Sequence, residues 1–304
     1  MPSWSAVQTA VQQTGSPYDV VRRDYLAQLA AHTGRNVIIY YSGWLEKQNL
    51  LVQGMQGFEI HDGDKTGFMS AVFGLDRSLG LDLILHTPGG DIAATESLVD
   101  YLRAMFNGDI RVIVPQLAMS CGTMIALSAK EVVMGKHSSL GPIDPQIGGI
   151  PAHGVIEEFN TAKAEIAADP TTMAVWQPII NKYNPTLVGE AAKAITWSKA
   201  IVKQWLVTGM FSTHADPDAD ADRVIDELAD HALTLSHGRH ISAAKAVALG
   251  IKVVPLEDDP VMQDLVLAIH HSCTQTLTET AAFKIIENQA GTAVIGVVNV
   301  QRSS

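Results

Sequence analysis

The sequence predicts a mixed α/β fold with a mainly parallel sheet and helices on both of its faces. Three short segments rich in Leu, Ile and Val, 81–86, 110–115 and 131–135, have the length and apolar character of buried strands. Helical patterns over 88–106 and from about 120 to 130 separate them. Apolar strands that alternate with helices are typical of parallel sheets, because both faces of such sheets are covered.

Upstream of these strands, the sequence predicts two helices and one further strand. Residues 4–33 form an amphipathic helical pattern that places Arg22 on the solvent side. The β-branched run 36–41 predicts the first strand, and 68–75 predicts a short helix. Between them, 42–66 contains several glycines and no clear period, which indicates an irregular segment.

Downstream, helices are predicted first. Residues 153–168 form one helix, and 172–207 form more helix that Pro178 and Pro185 interrupt. The acidic stretch 214–233 predicts a solvated loop followed by a helix.

The C-terminal part returns to strands. Residues 242–250 predict a helix that ends at a glycine, and 251–255 predict a late strand. The apolar run 291–300 is strand-like and needs a partner strand, in this chain or in a neighbouring subunit.

Composition and charge exclude several classes of function. A net charge of −11 argues against nucleic acid or anionic lipid as the main partner. The two cysteines, Cys121 and Cys273, have neither disulfide-framework nor zinc spacing, which favours a reducing compartment. No signal-peptide pattern and no apolar run of roughly 18 residues is present, so we expect a cytoplasmic protein without a membrane span. Because the phosphate-loop motif GxxxxGK[ST] is absent, we expect no cofactor, and any ATP dependence would come from a partner ATPase.

Two turns after neighbouring predicted strands carry the clearest chemical signal. The glycines of HTPGGD (86–91) leave backbone N–H groups unscreened, and Ser120 in AMSCGT (118–123) stands at a helix start. Taken alone, the first is an ordinary strand-to-helix turn and the second an ordinary helix N-cap. Both turns lie at the sheet edge where parallel sheets bind ligands. Together they predict a nucleophilic Ser120 whose oxyanion is held by the N–H groups of Gly90 and Cys121.

The segments LDLILHTPGGDI, VPQLAMSCGTMIALSAKEVVMG and HSSLGPIDPQIGGIPA resemble serine proteases of the ClpP/crotonase fold. They are similar in particular to the serine dehydrogenase proteinase (SDH) family, which is related to signal peptide peptidase A. A further segment, 235–254, resembles the late element GRxxSxxxAxxxG of this fold. The resemblance implies a ClpP/crotonase-like catalytic domain over 36–255. The residue patterns outside it predict an N-terminal helical segment over 1–35 and a C-terminal helix with a strand-like arm over 256–304. The resemblance also implies Ser120 as the nucleophile and assembly into a homo-oligomer.

The base that activates Ser120 has two candidate solutions. Lys163 follows Ser120 by 43 residues and shares a helical stripe with Phe159 and Ile166, which predicts that its amine is buried. Burial lowers the pKa of a lysine and allows the neutral amine to act as a base, although a lysine at such a position can also extend its amine to water. Related Ser–Lys peptidases of this fold carry their lysine at a similar distance, so the resemblance implies Lys163.

The second solution is a Ser–Asp–His triad, which has been proposed for the SDH family. In this chain it would use Asp144 with His240 or His237. Asp144 stands where ClpP-like proteins carry their histidine, and a carboxylate is a poor base for a serine hydroxyl. Its ordinary explanation is a turn residue that caps backbone N–H groups. The other histidines are expected on the surface or in a satisfied core.

The expected function is therefore that of a serine-type endopeptidase acting on unfolded or flexible protein substrates. One alternative is a crotonase-like acyl-CoA enzyme, but only Arg103 and Arg111 lie near the PGG turn as partners for CoA phosphates. Another is a catalytically silent, ring-forming scaffold.

Overall fold

The computed structural model describes residues 18–229 and 238–298. Its helices are α1 (Tyr18–Thr33), α2 (Gln48–Val52), α3 (Asp62–Val72), α4 (Ile92–Met105), α5 (Cys121–Leu127), α6 (Ala152–Ala168), α7 (Met173–Ile180), α8 (Leu187–Thr208), α9 (Pro217–Ala229), α10 (Ala243–Leu249) and α11 (Pro260–Glu279). Its strands are β1 (Asn36–Ser42), β2 (Leu81–His86), β3 (Ile110–Val114), β4 (Leu117–Ala118), β5 (Glu131–Met134), β6 (Ser139–Leu140), β7 (Gln146–Ile147), β8 (Ile150–Pro151), β9 (Ile241–Ser242), β10 (Val253–Pro255), β11 (Ala282–Asn288) and β12 (Ala293–Val297).

The predicted α/β class is confirmed. Within the described residues, the main sheet has seven strands in the order β10–β5–β3–β2–β1–β11–β12. The five strands from β10 to β1 are parallel, and β11 and β12 extend the sheet antiparallel. The apolar C-terminal run therefore finds its partner strand in this chain, as far as residue 298; 299 and 300 lie outside the described residues.

Helices cover both faces of this sheet, because alternate residues of each strand point to opposite sides. On β1, Ile38 and Tyr40 join a core with α3, α4, α5, α8 and α9. Val37, Ile39 and Tyr41 join a second core with α1 and α11. The sheet is thus buried between two helical layers, and its strand ends are the places where a site can open.

Two smaller units lie at the carboxyl edge of the sheet. Strands β4, β6 and β9 form a three-stranded sheet, and β7 and β8 form a hairpin. Beyond the hairpin, α6 packs on α8 through a separate small cluster that includes Ala152, Val155 and Ala191. These units surround the turn that follows β4.

Two predictions about the N-terminal third are wrong in detail. Arg22 is fully buried, because α11 and β11 cover α1 and supply partners: its Nε donates to Glu287 Oε2 at 2.6 Å and its Nη1 to Thr276 Oγ1 at 2.9 Å. The helix expected at 68–75 begins earlier, at the start of α3, because His61 and Asp64 form a capping box there.

Membrane insertion has a simple structural requirement. Across 18–229 and 238–298, no helix combines the length and the apolar character that a membrane crossing demands.

Candidate active site

The turn after β2 needs glycine at two successive positions. Gly89 has φ +103°, and a Cβ built on it would lie 2.6 Å from Ser120 Cβ and 2.8 Å from Met119 O. A Cβ on Gly90 would lie 2.3 Å from both the N and the O of Ile60. Real Cβ atoms do not approach so closely, so the two glycines allow the turn to pass directly beside the serine.

Ser120 has an unusual backbone conformation. Its φ is +51° and its ψ −118°, and only one other non-glycine residue of the described ranges has a positive φ. It occupies the N-cap position of α5, but its hydroxyl makes no capping hydrogen bond, so the capping explanation is wrong. A strained backbone conformation persists only where the surrounding packing holds it, and such conformations cluster at functional sites.

The pairing with Ile60 fixes the direction of the Gly90 peptide groups. Ile60 N–H donates to Gly89 O at 2.8 Å, and Asp91 N–H donates to Ile60 O at 2.9 Å. Peptide groups alternate in direction along an extended segment, so the N–H and C=O of Gly90 point away from Ile60. The Gly90 carbonyl accepts from Cys121 Sγ at 3.0 Å, which identifies the other side as that of α5.

Two backbone donors are therefore available beside Ser120. Within 18–229 and 238–298, neither the N–H of Gly90 nor that of Cys121 donates to a protein acceptor. The Cys121 thiol is itself no rival nucleophile, since burial raises its pKa and keeps it protonated.

A cavity of about 830 Å³ opens over these residues. One wall consists of the Gly89–Gly90 turn with Ser120 and Cys121. The opposite wall comes from the loop and hairpin around 143–149, and from Trp197 of α8. The space is large enough for several residues of an extended peptide.

Carboxylates dominate the charge of this cavity. Glu59, Asp91 and Asp144 line it together with His61, and among the described residues no lysine or arginine does so. Asp91 is the N-cap of α4 and accepts from Ala94 N–H at 2.8 Å. Glu59 and His61 could not be predicted as site residues from the sequence, because both lie in the segment without a clear period.

One ring nitrogen of His61 is engaged at the start of its own helix, and the other lies near Asp64. Its Nδ1 accepts from Gly63 N–H at 3.0 Å, and its Nε2 lies 3.6 Å from Asp64 Oδ1. Both ring nitrogens therefore face the start of its own helix, α3. The histidine contributes to the cavity wall and to the capping of that helix.

Lys163 is exposed on α6 and is not part of the cavity lining. The expectation that its amine is buried is wrong, because the buried residues of the helix are Ala152, Val155 and Ala162. Lys163 follows Ala162 by one residue and is therefore rotated about 100° away from it. The apolar pattern of the sequence therefore placed the packed face of α6 one residue too far toward the C-terminus.

Of the triad candidates, the structure brings only Asp144 to the cavity. Asp144 is fully buried and lies in its lining. His240 is exposed beside β9 and does not line the cavity, while His237 lies outside the described residues. Within the described residues, no group of three or more His, Cys, Asp or Glu side chains could hold a metal ion.

Comparison with known proteins adds an independent observation. Residues 18–254 match the family model of ClpP-like SDH-type serine proteinases. Two curated relatives from Methanocaldococcus jannaschii are also similar. The uncharacterized protein MJ0137 is 38% identical over 108 residues, which cover 36% of this chain and 37% of the relative. The uncharacterized protein MJ1495 is 33% identical over 147 residues, which cover 44% of this chain and 50% of the relative. The chain thus spans half or less of the length of these relatives.

Proposed function

This chain belongs to the family of ClpP-like SDH-type serine proteinases, and from that premise we propose that it is a serine-type endopeptidase acting on unfolded or flexible proteins. In this proposal, Ser120 Oγ attacks the scissile carbonyl and forms a tetrahedral intermediate. The N–H groups of Gly90 and Cys121 hold its oxyanion. Collapse releases the amine product, and water then hydrolyses the acyl-enzyme.

The observation that carries the proposal is the strained Ser120 beside two unoccupied backbone donors. The Ser120 backbone is held at a positive φ, and its hydroxyl makes no capping bond, so the hydroxyl is available to attack a substrate. Preorganised N–H donors at such a place stabilise the charge that develops in acyl transfer. The two features together have no use in a simple helix cap.

The charge of the cavity favours a peptide over an acyl-CoA substrate. Carboxylates of Glu59, Asp91 and Asp144 line the site, and no described lysine or arginine does. Phosphate groups of CoA require cationic or backbone partners, which three carboxylates oppose. A peptide bond carries no charge and needs only the oxyanion donors and the cavity.

For the base, we propose Lys163, whose amine takes the Ser120 proton and passes it to the leaving amine. Its support is the resemblance to Ser–Lys peptidases of this fold, and the proposal requires its amine, which is exposed on α6 and outside the cavity lining in this structure, to reach Ser120. Asp144 with His240 is the alternative, supported by the burial of Asp144 in the cavity lining. The two alternatives differ in which single substitutions stop catalysis.

Ser120→Ala tests the central claim. We expect it to abolish both hydrolysis of a disordered, fluorescently labelled protein and labelling by a fluorophosphonate, because no other group supplies the nucleophile. Ser212→Ala, an exposed serine after α8, is the matched control and should keep both. Hydrolysis that survives in Ser120→Ala would contradict the proposal.

Lys163→Met tests the base, with the exposed Lys193→Met on α8 as control. Loss of general-base catalysis typically costs about 10²–10⁴-fold in kcat, and we expect this loss only in the Lys163 variant. The alternative predicts a different result: kcat of Lys163→Met stays within about tenfold of the parent, while kcat of both Asp144→Asn and His240→Asn falls by about 10²–10⁴-fold. In that case Asp144 and His240 activate Ser120 instead.

We also propose that the chain is a cytoplasmic homo-oligomer. Exposed apolar side chains on α7, Met173 and Val175, offer a surface for self-association. Light scattering over a range of concentrations measures the mass, and a monomer throughout would contradict this part of the proposal.

A further inference from the structure

The parallel pairing along β2 is interrupted next to His86. β2 and β3 pair as far as Ile84 and Ile113, and pairing resumes between Thr87 and Ala118. The three-residue advance from Ile84 to Thr87 therefore corresponds to a five-residue advance from Ile113 to Ala118, so the segment between β3 and β4 bulges. At this bulge the chain leaves the main sheet and enters β4 of the small sheet, two residues before Ser120.

The side chain of His86 fills the gap in this ladder. On the far side of the bulge, Thr87 N–H donates to Leu117 O at 3.1 Å and Met119 N–H donates to Thr87 O at 3.0 Å. The N–H of Leu117 has no strand carbonyl to receive it and donates to Nδ1 of His86 at 3.4 Å. The imidazole takes the place of the missing ladder acceptor, since an unsatisfied N–H here would be costly.

The surroundings of His86 keep it in the form that can accept. The ring is fully buried, with its centroid 4.4 Å from that of Trp44 and 5.5 Å from that of His270. Burial, together with the neighbouring His270, holds the pKa of His86 well below its usual value. A neutral imidazole that accepts at Nδ1 carries its proton on Nε2.

We propose that His86 is a positioning residue of the active site, which fixes the Ser120 turn relative to the Gly89–Gly90 turn through its bond to Leu117 N–H. The proposal rests on the proposed peptidase function. His86 belongs to the segment that continues into Gly90, and Leu117 to the segment that continues into Ser120. Their bond adds a third link, beside the two backbone bonds of Thr87, between the nucleophile segment and the oxyanion segment, and its loss lets one turn shift against the other.

Two variants separate this role from simple packing. His86→Asn keeps an acceptor near the position of Nδ1 but loses most of the ring. His86→Leu keeps more of the buried volume but has no acceptor. Because misplacement of reacting groups by about 1 Å can cost about 10²-fold, we expect kcat of His86→Leu to fall about tenfold to a hundredfold with little change in KM. We expect kcat of His86→Asn to stay within about threefold, even though its smaller side chain lowers its melting temperature.

The opposite ranking would overturn the proposal. A packing role predicts that His86→Asn loses at least as much activity as His86→Leu, in step with its lower melting temperature. Unchanged kcat in a folded His86→Leu would also contradict it. If His86→Leu does not fold, His86→Gln, which moves the acceptor one bond further out, takes its place with the same expected loss.

A measurement that does not need catalysis distinguishes this proposal from the proposed function. Hydrogen exchange of peptides spanning 117–124 should be faster in His86→Leu than in the parent and in His86→Asn. If Ser120 proves unreactive but this pattern holds, the peptidase function fails while the coupling of the two turns stands. Equal exchange in all three proteins overturns the coupling, whatever the activity.

Discussion

The cavity wall that carries Ser120 is attached to the central sheet by backbone pairing, whereas the opposite wall has its own small support. Gly89 and Asp91 pair with Ile60, and Thr87 pairs with the β4 segment. On the other side, the β7–β8 hairpin turns through two glycines with nothing within 4 Å of a built Cβ. The helices behind it, α6 and α8, meet in a separate small cluster.

This difference explains which parts of the site are fixed. Backbone hydrogen bonds at the ends of buried strands fix the positions of the nucleophile segment and of the oxyanion segment. On the opposite wall Ile143 and Asp144 are buried, but the hairpin turn at Gly148 and Gly149 has open space around it. We therefore expect glycine-to-alanine substitutions in the first wall to have large effects and those behind the opposite wall to have small ones.

Of the substitutions that compare the two walls, Gly90→Ala should show the largest effect. Its Cβ would lie 2.3 Å from backbone atoms of Ile60, which cannot move without breaking the bridge that orients the Gly90 N–H. Loss of one oxyanion donor typically costs about 10²–10³-fold in kcat, and we expect a loss of at least that size. The rates of peptide hydrolysis and of fluorophosphonate labelling measure it.

The matched control lies behind the opposite wall. Gly189 of α8 has no atom within 4 Å of a built Cβ, so Gly189→Ala should leave kcat unchanged and the helix slightly more stable. Comparable losses in both variants would show that the two walls are equally sensitive to an added methyl group.

The proximity of the two turns in the first wall could be predicted from the sequence, and in the opposite wall Asp144, but not Lys163, lies at the cavity. The Gly90 turn directly follows β2, whose apolar pattern is unambiguous, whereas the Ser120 turn follows β3 only after the short strand β4, which the sequence did not predict. Lys163 was placed by a helical pattern, in which an error of one residue moves a side chain by about 100°. His61 and His86 gave no signal as parts of the site, because their roles depend on pairing between segments far apart in the chain.

Contacts between distant segments also explain why some charged residues are buried although no local sequence pattern predicts it. Lys284 on β11 donates to Asp64 at 2.9 Å and to the backbone O of Glu59 at 2.8 Å. Tyr40 donates to the same carboxylate at 2.8 Å. No local pattern links these three segments, yet together they hold the Glu59–His61 strip that pairs with Gly90.

Lys284→Met should therefore destabilise the protein by about 3 kcal/mol, because it leaves the carboxylate of Asp64 buried without its cation. Lys199→Met is the control: its partner Asp226 is 74% exposed, and a surface ion pair of this kind contributes at most about 1 kcal/mol. Denaturant unfolding of both variants measures the difference. Equal free energies of unfolding would mean that the Asp64 network does not support the first wall.

The smallest expected effect concerns the histidines behind the first wall. Burial lowers the pKa of His270 to about 3, with His271 and His137 adding to the shift, while Tyr41 and His86 contact its ring. The folded state therefore keeps His270 neutral at pH values where the unfolded chain, with a pKa near the ordinary 6.5, binds a proton. Because the unfolded state binds more protons, stability falls as the pH drops below about 6.5.

Replacing His270 by Asn removes this proton uptake. Between pH 6 and pH 5, the free energy of unfolding of the parent should fall more steeply than that of His270→Asn, by about 1.4 kcal/mol per pH unit at most. Burial raises the pKa of Glu46 in the same region and opposes this trend, but the contribution is common to both proteins and cancels in the difference. Above pH 7.5 the two slopes should coincide. A difference that persists there, or parallel curves throughout, would show that the buried histidines do not link the stability of the first wall to pH.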